Sequence, residues 1–110
     1  MKLPNSQKAV VDERKVREYL LSASHPVGRF KARFFGRIGF PPEAWSEFVE
    51  ALRRVAVEGD AQVLEDSEHG QKYVVRGRIG GPGALQIEID SVWIIRAGDD
   101  TPRLVTVYPR

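Results

Sequence analysis

No cysteine occurs among the 110 residues, which excludes disulfides, thiolate nucleophiles and thiolate metal sites. Histidine is scarce too, at positions 25 and 69 only, and no HxH, HxxxH or DxD spacing occurs. Little is therefore present to ligate a cation, and neither a metal site nor a cofactor is expected. No apolar run approaches the length that spans a bilayer, and the opening "MKLPNSQKAV" lacks the apolar core of a signal peptide. The expectation is a cytoplasmic protein with no membrane attachment. The glycine-rich "GGPG" has no following lysine and helix, so it reads as a hairpin turn rather than a phosphate-binding P-loop, and no nucleophilic elbow is found. One methionine, one asparagine and twelve arginines against five lysines point to a high-GC or heat-adapted source.

What is present is an ordinary globular balance, 42% hydrophobic and 29% charged, in a chain of the length of one domain. The net charge of +2 does not argue for a nucleic-acid binder, but its distribution is uneven. Carboxylates cluster in "VEGDAQVLEDSEH", while bases concentrate in residues 29–37 and 72–78. That predicts a dipolar surface with a basic patch able to attract phosphate.

Periodicity places helices first and strands later. "LPNSQKAVV" reads as an extended lead-in whose Ala9, Val10 and Val11 can pair at a sheet edge. "DERKVREYLLS" starts on Asp12, a good N-cap, with Val16, Tyr19 and Leu20 at helical spacing. Pro26 breaks it, and a second helix fits residues 28–38. "PPEAWSEFVEALRRVAVEG" is the clearest helix, with Trp45, Phe48, Val49, Leu52 and Ala56 on one face. After Gly59 the period falls to two, and "DAQVLEDSEH", "QKYVVRGRI", "ALQIEIDSVWIIRA" and "RLVTVYP" read as four strands with short turns between them. Short connections favour antiparallel neighbours. The predicted fold is α+β, three N-terminal helices packed on one face of a four-stranded antiparallel meander.

The stretch "HPVGRFKARFFGRIGF" carries the densest chemistry. At about 100° per residue, Arg29, Arg33 and Arg37 form one edge of the second helix and Phe30, Phe34 and Ile38 a buried stripe beside it. The arginine edge is open to two readings, a solvated face or the wall of an anion site. Lys31 falls beyond the stripe, near Phe35; it either runs past Phe35 to water or points into a cleft between helix and sheet. His25 precedes the helix start, where backbone N–H groups favour anions; it is either a turn residue or part of a phosphate site. His69, between acids in "SEHGQ", reads as a turn residue. In the second strand Lys72, Arg76 and Arg78 project from one face, alternating with Tyr73, Val75 and Ile79. Packed beside the basic helix, they would make a continuous groove. Trp93 and Tyr108 read most simply as core, and Thr106 as sharing a strand face with Leu104 and Tyr108.

Four stretches in order, "LPNSQKAVV", "LLSxxHPVGxxKAxFF", "GQKYVV" and "VWIIxxGxDxPRLVTxYP", resemble a bacterial domain of unknown function, family 6883. They also resemble toxin domains at the C-termini of contact-dependent inhibition and other polymorphic toxin proteins. The resemblance covers nearly the whole chain. It implies a single toxin-like domain over residues 1–110, similar to the barnase/EndoU/colicin/RelE-like class of metal-independent ribonucleases, which cut RNA and often transfer RNA. His25 and Lys31 match the family's "HPxG…K"; Gly70, Gln71, Lys72 and Tyr73 match "GQ[KR]Y"; and Pro102, Arg103, Leu104, Thr106 and Tyr108 match the terminal motif. On that resemblance His25, Lys31, Lys72, Thr106 and Tyr108 are the expected catalytic residues. Arg29, Arg33, Tyr73, Arg76 and Arg103 are the expected substrate-binding ones. Histidine exchanges protons near neutrality, and lysine or arginine stabilises charge on a phosphorane. The partners implied are RNA and a small acidic antitoxin or immunity-type protein. The alternative is a non-catalytic interaction module of an operon-encoded pair, since a basic patch also binds acidic proteins.

Overall fold

The computed structural model describes residues 1–22, 24–26, 28–81 and 83–110. Ala23, Val27 of the "HPVG" stretch and Pro82 of the "GGPG" turn lie outside the described residues. Helical segments precede four antiparallel strands, an α+β arrangement. The strands are β1 (Asp60–Ser67), β2 (Gly70–Ile79), β3 (Ile87–Arg96) and β4 (Pro102–Pro109), in the spatial order β1-β2-β3-β4 that short connections dictate.

Alternation decides which face is covered. Val75, Ile79, Ile89, Trp93, Leu104 and Val107 are buried on one side. The longest helix, α3 (Trp45–Glu58), lies against that side with Phe48, Leu52, Val55 and Ala56 buried. A Cβ added at Gly77 would meet the Val55 side chain at 2.8 Å, so strand and helix touch there. Ser91 is the one polar side chain buried in the sheet's core face, and it is fully used. Its hydroxyl donates to the Val75 carbonyl (2.9 Å) and accepts from the Trp93 indole (2.8 Å). On the opposite face Arg76 and Arg110 both pair with Asp90. The N-terminal segment ties the two sheet edges: the Met1 carbonyl accepts from Ala61 N (2.8 Å), and Val10 bridges Arg103 of β4 in parallel, as the lead-in reading anticipates.

Helix α2 (Arg29–Arg37) forms where expected, with Ile38 just past its end buried as expected, but the rest of the buried stripe differs. Ala32 and Phe35 are buried and Phe34 only partly, while Phe30 is 62% exposed beneath the Arg29 guanidinium. The cause is the neighbour: Phe35 meets Phe48 of α3 at 4.9 Å between centroids, and one ring partner of that size decides how the helix rolls. The roll carries Lys31 from the rim of the buried arc to the interior side.

Two local irregularities also re-aim side chains. The first helix, α1 (Glu13–Lys15), is capped by Asp12, whose carboxylate accepts from Arg14 N at 2.8 Å. It continues as a π-helical turn, Val16–Leu20, in which Leu21 N–H donates to the Val16 carbonyl at 2.8 Å. In β4 the register shifts: Trp93 pairs with Leu104 but Val92 with Thr106, leaving Val105 as a bulge. Leu104 and Val107 are both buried although three apart, while Tyr108 is 51% exposed. Thr106 therefore does not share Leu104's face, and Tyr108 is not a core residue, both corrections to simple alternation.

Candidate functional site

Those irregularities meet at the β4 margin. An open cleft of about 770 Å³ is lined there by α1, α2, β4 and the segment between the first two helices. Its chemistry-bearing side chains are Lys15, Tyr19, His25, Lys31, Thr106 and Tyr108. A smaller hollow of about 190 Å³ between α3 and β2 contains Arg54, Glu58 and Arg78 but none of the expected catalytic residues.

Lys31 is the centre of the cleft. Its Nζ donates to Thr106 Oγ1 at 2.8 Å and lies 4.4 Å from the Tyr108 ring centroid and 5.8 Å from that of Tyr19. So Lys31 takes the second of its two sequence readings: it points into a cleft between helix and sheet. Burial, and after it the charge of Lys15, hold the Lys31 amine below the usual lysine range. Neither lysine forms an ion pair among the described residues. The two carboxylates on the cleft wall are otherwise engaged, Glu18 by Arg14 (3.3 Å) and Asp12 by its capping bond. The site thus presents two ammonium groups without an ion-pair partner among the described residues, on a wall where Glu18 is paired with Arg14 and Asp12 keeps its charge.

His25 stands half-buried on the same cleft, edge-on to Tyr19 with centroids 4.8 Å apart. Its Nδ1 accepts from the backbone N–H of Gly28 at 2.9 Å. With Nδ1 so engaged, a neutral imidazole carries its proton on Nε2 and is a donor rather than a proton acceptor. The anchoring backbone is itself wedged: a Cβ on Gly28 would stand 2.1 Å from the Tyr19 carbonyl oxygen. Gly28→Ala is expected to push the segment off the π turn, costing about 1–3 kcal/mol and displacing His25. A lower urea midpoint together with a shifted His25 imidazole NMR resonance checks this.

Of the expected catalytic residues the fold brings together His25, Lys31, Thr106 and Tyr108. Lys72 is not among them: it pairs with Ile94 on the sheet face away from α3, two strands from β4. Arg76 is on that same face, occupied with Asp90. Tyr73 packs against the core, and Arg103 lies 3.8 Å from Asp99, its buried Nε without a hydrogen bond. Arg29 and Arg33 are exposed on α2 outside the cleft lining. The continuous basic groove expected from helix and strand is not what lines this cleft: Lys31 reaches it from α2, but Lys72, Arg76 and Arg78 of β2 are not in its lining. Lys15 and Tyr19 are additions. Their four-residue spacing is a visible signal that they share a helix face, while Tyr19 also packs partly against the core.

The profile of the family described as "Domain of unknown function (DUF6883)" matches residues 2–110. No curated protein matches the sequence. Among solved structures, a chain of the "Contact-dependent growth inhibition toxin - immunity protein complex from Klebsiella pneumoniae 342" superposes with a TM-score of 0.65 at 15% identity, covering 96% of each chain. At that identity the likeness is one of fold. Among the described residues no group of three or more His, Cys, Asp or Glu is placed to hold a metal ion, and no helix is long and apolar enough to cross a membrane.

Proposed function

This chain belongs to the DUF6883 family, and from that premise we propose that it is a toxin-like domain that cleaves RNA, transfer RNA included, without a metal ion. The observation that carries the reading is the pair of lysines on one cleft, Lys15 and Lys31, neither ion-paired, with the Lys31 amine seated on a hydroxyl and an aromatic face. Two ammonium groups without an ion-pair partner, on a wall where Glu18 is held by Arg14, suit a phosphodiester.

The reaction is an internal transesterification. The ribose 2′-oxygen gives up its proton and bonds to phosphorus, the bond from phosphorus to the 5′-oxygen breaks, and that oxygen takes up a proton. A 2′,3′-cyclic phosphate and a 5′-hydroxyl remain. Lys31 in its free-amine form accepts the 2′-proton and, as ammonium, faces the charge building on the phosphorane before returning the proton to the 5′-oxygen. Thr106 orients the amine. His25 serves as a hydrogen-bond donor rather than as the base, and Tyr108 offers a ring face to a nucleobase. Arg29 and Arg33 remain proposed outer contacts to the RNA backbone; Lys72, Tyr73, Arg76 and Arg103 lie off the cleft and take no part in this step.

Purified protein incubated with transfer RNA in EDTA is expected to give fragments ending in a 2′,3′-cyclic phosphate, with Thr106→Val slower by about tenfold, the worth of one charge-assisted hydrogen bond. Intact RNA, or cleavage that chelation stops, counts against the reading.

A second reading draws on the fold likeness to a chain of a toxin–immunity complex: a protein-interaction module that meets a small acidic partner in the cytoplasm. Its discriminating result is a stable, salt-sensitive complex with the product of the adjacent gene and no RNA cleavage.

A further inference from the structure

Tyr19 lines the cleft, but neither the family resemblance nor the cleavage step assigns it a role. We propose that Tyr19 is a nucleobase-binding residue: it takes one of the two bases that flank the scissile phosphate while Tyr108 takes the other, so the site holds a dinucleotide step rather than a lone phosphate. The inference rests on reading the cleft as a phosphodiester site.

Holding the Lys31 amine does not explain the Tyr19 ring. The amine is seated on Thr106 Oγ1 at 2.8 Å and over Tyr108 at 4.4 Å. The Tyr19 centroid is 5.8 Å away, close to the limit of about 6 Å at which a ring still attracts a cation. Core packing accounts for only part of the side chain, because Tyr19 is half-buried and reaches the cleft. What its surroundings do is fix the ring in place. His25 meets it at 81° with centroids 4.8 Å apart, and a Cβ on Gly28 would come within 3.3 Å of its Cδ2. A ring positioned before binding loses little freedom when a base stacks on it.

The two rings also suit neighbouring bases. One nitrogen lies 4.4 Å from one centroid and 5.8 Å from the other, so the rings are no further apart than those two distances laid end to end. Two bases splayed from a single phosphate can reach both. The rings come from different elements, the π turn and β4, so the bases do not compete for one surface. Tyr108 is 51% exposed, and the amine over it leaves much of the ring uncovered. Each ring arrives through a local irregularity, Tyr19 in the π turn and Tyr108 after the bulge at Val105. Regular pairing is given up on both sides, and both departures bring a ring to the same amine. Stacking accepts any base, so the recognition is tolerant of sequence.

The test uses deoxydinucleotides, which lack the 2′-hydroxyl and are therefore bound without being cut. NMR titration of isotope-labelled protein gives Kd for a deoxyadenosine dinucleotide and for two analogues, each lacking one of its bases. Loss of either base is expected to weaken binding to the wild type about tenfold, the worth of one stacked base. Tyr19→Leu keeps an apolar side chain against the core; it should bind the intact probe about tenfold more weakly and no longer distinguish it from one of the analogues. Tyr108→Leu should lose the distinction for the other analogue. Tyr19→Phe should match the wild type, because the ring and not the hydroxyl is used. Wild-type base dependence in Tyr19→Leu overturns the proposal, as does one analogue answering to both rings or a deoxydinucleotide that does not bind. Equal weakening of all three probes in both Tyr19→Leu and Tyr19→Phe marks a structural role and overturns it as well. If binding follows the expected pattern while RNA stays intact, the two-ring site stands and the ribonuclease reading falls. If RNA is cut while Tyr19→Leu keeps the wild-type base dependence, the ribonuclease reading stands and this inference falls.

Discussion

Replacing Lys31 with methionine is expected to reduce RNA cleavage about 10²–10³-fold, the range for losing a general base that also faces transition-state charge. The same change should leave the protein at least as stable near neutral pH. Lys31 gives up hydration to enter the cleft and finds a hydroxyl and two rings there, but no carboxylate. Because its folded-state pKa is lowered, the unfolded chain binds more protons between that value and the ordinary lysine value. Wild-type stability therefore rises as pH climbs through the folded-state value and levels off above the unfolded one; below both, the buried charge is a standing cost. Lys31→Met should lack that rise. Urea midpoints near neutrality and in alkaline buffer, beside a cleavage assay, read both effects. A midpoint that drops as for a core truncation would make Lys31 a packing residue and remove the basis of the proposed site.

Phe48→Ala is the opposite case, a large loss of stability. Phe48 is fully buried, with the Phe35 ring at 4.9 Å and the Phe40 ring at 5.2 Å between centroids. Truncation leaves a cavity among rings too large to collapse into it, and should cost about 3–5 kcal/mol from a total of about 5–15 kcal/mol for a domain of this size. The urea midpoint should fall by about a fifth or more of its value, with an unchanged slope if unfolding stays two-state. Since Phe35 lies four residues after Lys31 on α2, the remaining folded protein should also lose the Lys31–Thr106 bond more readily. Lys31 in the Phe48→Ala protein should then acetylate more nearly like the exposed lysines. A loss under about 1 kcal/mol would mean that α2 and α3 are not joined through this ring cluster.

Where one-dimensional reading succeeded and failed follows from how far each property reaches along the chain. The α3 face was legible because Phe48, Leu52 and Ala56 repeat at helical steps and no neighbour competes to turn that helix. The strand order was legible because short turns leave antiparallel pairing as the accessible connection. On α2 the same periodicity chose Phe30 over Phe35, since two hydrophobic arcs were available and the choice depended on Phe48. The π turn at Val16–Leu20 and the bulge at Val105 each displace a period by one residue, and no local residue type announces them. The bulge accounts for Tyr108 being read as core and for Thr106 being placed on the wrong face, and the π turn for Tyr19 lining the cleft. His25 and Lys31 were visible as the histidine and amine of one motif, but their roles were not. The Gly28 N–H bonded to His25 Nδ1, and the presence of Lys15 on the same cleft as Lys31, are set by how separate segments approach.

By itself the sequence determined the order of helices and strands, the want of thiol and histidine-cluster chemistry, and an uneven spread of charge, because each of these is a property of composition or of neighbours a few residues apart. Tertiary structure alone decided that Lys31 meets Thr106, 75 positions away, on a cleft that Lys15 also lines, while Lys72 stays two strands away on β2 and outside that cleft. The physical reason is that the charge balance of a cleft depends on which acids have been claimed by other partners, and that is settled only when distant segments have packed.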